Sequence, residues 1–141
     1  MTNQTPVGKT KTQGWEIGVR RTFPVSPEQA WAVLMTSPGL DCWLGDGAEP
    51  PFKKGDTFIT EDGTCGEIRS ASEGDLVRMR WQPRGWNFES TLQLRVIPAR
   101  TGAIISIHHE MLQNQEQREA MRQHWTEVMD KLADLMQSVR R

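Results

Sequence analysis

From residue 56 to residue 112 the chain alternates apolar and polar positions with a period of two, the signature of half-buried strands. DTFITE and TCGEIRSA flank Asp62-Gly63, a pair suited to the positive φ angles of a tight hairpin turn. LVRMRWQ places Val77, Met79 and Trp81 on one face and Arg78, Arg80 and Gln82 on the other. STLQLRVIP does the same with Leu92, Leu94 and Val96 inward. Pro83-Arg84-Gly85 and the turn around Gly102 separate these runs, and AIISIHHEM is the last strand. The period then lengthens. Met121, Trp125, Val128, Leu132, Leu135 and Val139 form one stripe of an amphipathic helix predicted from about Asn114 to Val139, with Asn114 and Gln117 as a capping box. At 1.5 Å per residue such a helix runs about 39 Å, enough to cross a sheet.

Before residue 56 the pattern is shorter. WEIGVRRTFPV reads as a strand and leads into SPEQAWAVLM, where Ser26 can cap a helix, Pro27 suits its first turn and Gln29 completes a capping box. Trp31, Leu34 and Met35 give that helix an apolar face, and Pro38-Gly39 is expected to end it. LDCWLGDG is a second short helix or a turn, and PPFKKGD is a loop. Residues 1–14 offer little to bury and are expected to be a flexible tail, leaving residues 15–141 as one domain. The order is strand, two short helices, a run of antiparallel strands and one long helix, which predicts an α+β architecture. A long helix laid across a curved sheet tends to leave an apolar cavity beneath it.

Composition narrows the function. With 17 basic and 18 acidic residues the chain has no electrostatic case for nucleic acid as a partner. It shows neither a secretory h-region nor an apolar stretch long enough for a membrane span, so a cytoplasmic location is expected. Cys42 and Cys65 are isolated and read as plain thiols. Six tryptophans without a tyrosine imply either a tryptophan-rich core or a tryptophan-lined cavity. GDGAEPPFKKGD lacks the lysine-serine ending of a phosphate loop, and no GxSxG or CxxC motif is present, so no cofactor and no nucleophilic catalysis are expected.

The stretch His108-His109-Glu110 is the one concentration of candidate chemistry. Neighbouring side chains on a strand point to opposite faces, so the two imidazoles diverge. His109 should look into the concavity with Ile105, Ile107 and Met111, while His108 and Glu110 face outward with Ser106. The third histidine, His124, lies on the long helix, and too few ligands converge for a metal site. His109 is either a hydrogen-bonded wall histidine or an acid/base group, and Trp125 either anchors the helix or walls a cavity; both pairs of readings stand. The candidate ligand-binding residues are Met79, Trp81, Leu92, Leu94, Ile105, Ile107 and His109 on the sheet, with Trp125, Val128 and Leu132 on the helix. Trp31 and Trp43 are expected to be packed, and Glu67, Arg69, Arg78 and Arg80 to form a solvated outer face.

Taken together, VSPEQAWAVLMTSPGLDCWLGD, PFKKGDTF, GTCGEI, VRMRWQP, TLQLRVIP, TGAIISIHHEML and QHWTEVMDKL resemble the activator-of-Hsp90-ATPase-like family, within the START and Bet v 1 helix-grip superfamily. The resemblance spans residues 15 to 139 and implies a curved antiparallel sheet wrapped around the long C-terminal helix. It also implies a pocket for a small hydrophobic or amphipathic molecule such as a lipid. Some superfamily members cyclise polyketides, and the eukaryotic namesake stimulates a chaperone ATPase, a stress-response role. A homodimer and an Hsp90-type chaperone partner are therefore compatible with the resemblance. Because residues 1–14 do not supply the separate domain through which that namesake engages its chaperone, non-catalytic ligand binding is the expectation. The alternatives are a cyclase or hydrolase using His109 and a chaperone-associated interaction module.

Overall fold

A computed structural model describes residues 9–10 and 14–140. The elements are β1 (Lys9–Thr10), β2 (Gly14–Phe23), α1 (Pro27–Leu34), α2 (Ser37–Trp43), β3 (Thr57–Ile59), β4 (Cys65–Ser72), β5 (Leu76–Gln82), β6 (Ser90–Ala99), β7 (Gly102–Leu112) and α3 (Gln115–Arg140). All strand pairs are antiparallel, in the order β1-β2-β7-β6-β5-β4-β3. The expected tail falls largely on residues 1–8 and 11–13, outside the described residues; Lys9–Thr10 pair with Trp15 and Gly14. None of the helices among the described residues is long and apolar enough to cross a membrane.

The alternation read from the sequence is the packing of the sheet. Val77, Met79 and Trp81 are buried against Leu92, Leu94, Val96, Ile105 and Ile107 on the concave face. Over that face lies α3, which contributes Trp125, Val128, Met129, Leu132 and Met136 to the same core. Burying a side chain of this size stabilises by about 1.5–3 kcal/mol, so this seam supplies most of what holds helix to sheet.

The capping signals hold with two adjustments. Ser26 accepts the Gln29 backbone N–H and the Gln29 side chain accepts the Ser26 N–H, the full capping box. At α3, Asn114 accepts the Gln117 N–H at 2.8 Å, but the Gln117 side chain reaches back to the Gln113 N–H instead. Pro38 and Gly39 do not merely end α1. They lie in the first turn of α2, where proline is tolerated because its missing N–H has no helical acceptor there, and Thr36 caps that helix through the Gly39 N–H.

The two short helices meet at Gly39. A Cβ built there would lie 1.9 Å from the Val33 carbonyl oxygen, and the same elbow is tied by a 2.9 Å bond from the Trp43 indole N–H to the Leu34 carbonyl. Gly39→Ala is expected to cost about 2–3 kcal/mol, the upper end for overpacking, because the obstructing atom is backbone. Urea denaturation measures it, and an unchanged midpoint would show that the elbow opens freely.

Candidate functional site

The site is built around His109, whose ring is fully buried. The Trp125 indole N–H donates to His109 Nδ1 at 3.1 Å, and His109 Nε2 lies 2.8 Å from Ser90 Oγ. Ser90 Oγ in turn donates to the Trp81 carbonyl at 2.6 Å. These contacts fix the tautomer. Indole can only donate, so Nδ1 is the acceptor; the Ser90 hydroxyl spends its proton on the carbonyl, so Nε2 carries the hydrogen. His109 is therefore a neutral relay between the helix and two strands, with both nitrogens occupied. Burial, followed by smaller contributions from His124 and His108, lowers its pKa to about 3.

Aromatic rings enclose this relay. Trp81 meets His109 edge to face at 5.0 Å and Trp86 likewise at 5.7 Å, and lies tilted against Trp125 at 5.5 Å. Trp86 also stacks on Phe88 at 4.7 Å. The cluster ends at an open pocket of about 380 Å³ bounded by the end of α2, the β3–β4 turn, the β5–β6 turn and α3. Trp81 on β5 and Trp86 in the β5–β6 turn wall one side, and Met121 and His124 on the helix wall the other.

All the expected ligand-binding residues come together on the concave face. Met79, Leu92, Leu94, Ile105, Ile107, His109, Trp125, Val128 and Leu132 are each at most 2 % exposed. At that level the structure packs them closely against one another. Trp81, at 6 %, also borders the open pocket. A second, larger groove of about 640 Å³ lies between α1, residues 50–53 and the β4–β5 edge, with Trp31, Met35 and Phe52 in its walls. Trp43 is buried, whereas Trp31 is half-buried beside that groove.

One inward assignment changes. Met111 is 44 % exposed with a φ of 67°, and Leu112 is buried in its place. Between Trp15↔Leu112 and Ile17↔His109 the register shifts, setting Glu110 and Met111 opposite Glu16 alone; this bulge reverses the parity beyond Glu110. His108 and Glu110 do face outward. Glu110 is nevertheless buried, held by a two-pronged Arg78 contact at 3.1 and 3.2 Å and by His108 Nδ1 at 3.1 Å. The other charged strand residues are also paired, Glu67 with Arg69 and Arg80 with Glu89. Among the described residues no three His, Cys, Asp or Glu side chains are grouped to hold a metal.

Two participants escaped the sequence reading. Ser90 carries a usable signal, since it shares the parity of Leu92 and Leu94 and is thus a hydroxyl on an apolar face. Trp86 sits in an irregular turn, where no periodicity marks a side chain as inward.

A comparison with curated protein sequences finds no match. Among solved structures, DynU16, described as a putative protein in the dynemicin biosynthetic locus, superposes with a TM-score of 0.76 at 14 % identity, over 86 % of this chain and 47 % of that one. The chain thus spans about half of DynU16. PFC0360w, an HSP90 activator from Plasmodium falciparum, gives a TM-score of 0.71 at 16 % identity, covering 87 % of this chain and 96 % of that one. MLL2253 from Mesorhizobium loti gives 0.72 at 19 % identity, covering 87 % and 97 %. These superpositions establish a shared fold and, at such low identities, the fold alone. The family described as Activator of Hsp90 ATPase homolog 1-like protein matches residues 24–137, and the chain belongs to it.

Proposed function

We propose that the protein binds a small hydrophobic or amphipathic molecule, without covalent chemistry, in the pocket where Trp81 and Trp86 meet beneath α3. The observation that carries this reading is the aromatic corner itself: two large apolar rings, in edge-to-face contact at 5.7 Å, both border open space. In this reading Trp81 touches the ligand, and Met79, Leu92, Leu94, Ile105, Ile107, His109, Trp125, Val128 and Leu132 hold the wall on which it rests. The state of His109 supports a binding role over a catalytic one. A general base needs a free lone pair and a pKa near the working pH, and this ring has neither. Free thiols at Cys42 and Cys65 accord with a cytoplasmic location.

Calorimetric titration with aromatic and aliphatic amphiphiles of different charge is the test. At least one is expected to bind saturably, to lose binding in Met121→Trp, which fills the pocket, and to keep it in Ala32→Trp, which obstructs the larger groove. The reverse dependence would move the site to that groove. Turnover of a polyketide substrate that disappears in His109→Ala would overturn the non-catalytic part.

A further inference from the structure

The pocket beside Trp81 has an uneven charge. Asp41, Asp46, Glu61 and Asp62 border it, and none of its lining residues among those described is a lysine or arginine. The whole chain carries a formal charge of only −1, so the acidity is local. Asp62 is held in its ionised form: it accepts from the Thr60 hydroxyl and, at 3.1 Å, from the Thr64 N–H, and the Thr60 bond is the leading cause of its lowered pKa. Burial, and after it Lys131, pushes His124 toward its neutral form against the opposing pull of Glu127. Two cations lie nearby. Lys131 acts on Cys42 and His124, and the stem of Arg84 lies over Gly63.

Aromatic faces, which attract cations through their quadrupoles, stand behind this rim in Trp81 and Trp86. An independent feature points the same way toward a ligand. Trp81 is 6 % exposed, yet its indole N–H has no acceptor among the described residues. Buried donors are nearly always paired; the nitrogen is closed to solvent as the ring stands, and a turn of the indole toward the pocket it lines would bring the N–H within reach of an oxygen on a bound molecule.

We infer that the pocket selects an organic amine: a protonated nitrogen among the carboxylates and indole faces, an apolar body against Trp86 and Met121, and a hydroxyl or carbonyl oxygen for the Trp81 N–H. The inference rests on the proposal that this pocket binds an amphipathic ligand, and adds the ligand's charge.

The test uses three probes that share a phenyl ring and a benzylic hydroxyl: 2-amino-1-phenylethanol, 1-phenylethane-1,2-diol and mandelate, which are cationic, neutral and anionic. In low salt the amine is expected to bind about tenfold tighter than the diol, and mandelate more weakly than either. The amine's advantage should shrink severalfold at high ionic strength and in the Asp46→Asn, Glu61→Gln double variant, whose altered side chains are exposed. Removing the hydroxyl, as in 2-phenylethylamine, should weaken binding severalfold. If the diol binds as tightly as the amine, the charge selection is wrong while the pocket proposal stands. If neither these probes nor the wider amphiphile panel binds, both fail. Amine binding that persists in Met121→Trp would also overturn the inference, because the filled pocket could not be its site.

Discussion

Trp125→Ala is expected to destabilise the protein by about 3–5 kcal/mol, the range for emptying a buried aromatic site. The indole is fully buried and touches Trp81 and His109 on the sheet while belonging to the helix, so its loss opens a cavity at the seam itself. Packing and hydrogen bonding can be separated. Trp125→Phe keeps much of the apolar volume but removes the N–H that His109 Nδ1 accepts, leaving a buried acceptor unpaired at about 1–3 kcal/mol. Adding His109→Leu to Trp125→Phe removes the orphaned group, so the double variant should lose less than the two single costs combined. Urea denaturation of the four proteins gives the coupling. Strict additivity would show that the Trp125–His109 bond contributes nothing and that Trp125 is held in the seam by packing.

The architecture was legible because burial on this fold is written in two periods. Every strand from β3 to β7 and the long helix follow from alternation and from the stripe of Trp125, Val128 and Leu132, and the α1 start follows from Ser26 and Gln29. Failures occur where a local event breaks the period. The bulge at Glu110 and Met111 inserts one residue, so parity, correct through Glu110, places Met111 on the wrong face. The stripe also understated the helix's buried face. Met129 and Met136 are buried as deeply as Val128, because α3 presents a broad face to the concave sheet and to α2. The cavity expectation shows a further limit. Period two identifies which side chains point inward, yet whether inward residues enclose space or fill it depends on how closely helix and sheet approach. Here the expected wall residues fill it, and open volume lies beside Trp81 and beside Trp31.

Acid should weaken the fold through His109 well before carboxylates are protonated. In the unfolded chain an ordinary histidine takes up a proton near pH 6.5, whereas the native ring resists until about pH 3. The unfolded state therefore binds more protons throughout that window, so stability falls as pH drops from about 6.5 and is level above it. A full proton difference gives a slope of about 1.4 kcal/mol per pH unit, and an accumulated loss of order 4 kcal/mol by the bottom of the window. His124, whose pKa is also lowered chiefly by burial, adds in the same direction but more weakly, being less enclosed. Asp62, a carboxylate with a lowered pKa, acts in the same direction but at lower pH: its contribution is retained until the pH approaches its unfolded value and is lost below that. The structural reason for the His109 slope is specific. A proton on Nδ1 would face the Trp125 N–H, so protonation sets two donors against each other in a site closed to water. His109→Gln offers an amide that can accept from Trp125 or donate to Ser90 without titrating. Its stability at pH 7.5 should be lower than that of the native protein, while its slope between about pH 6 and 4 should be markedly flatter. The two curves should therefore converge as the pH falls. Denaturant midpoints measured across that range at constant ionic strength decide the matter: parallel curves would show that His109 takes up its proton equally easily in both states, and that the neutral relay joining Trp125, Ser90 and Trp81 does not persist in solution.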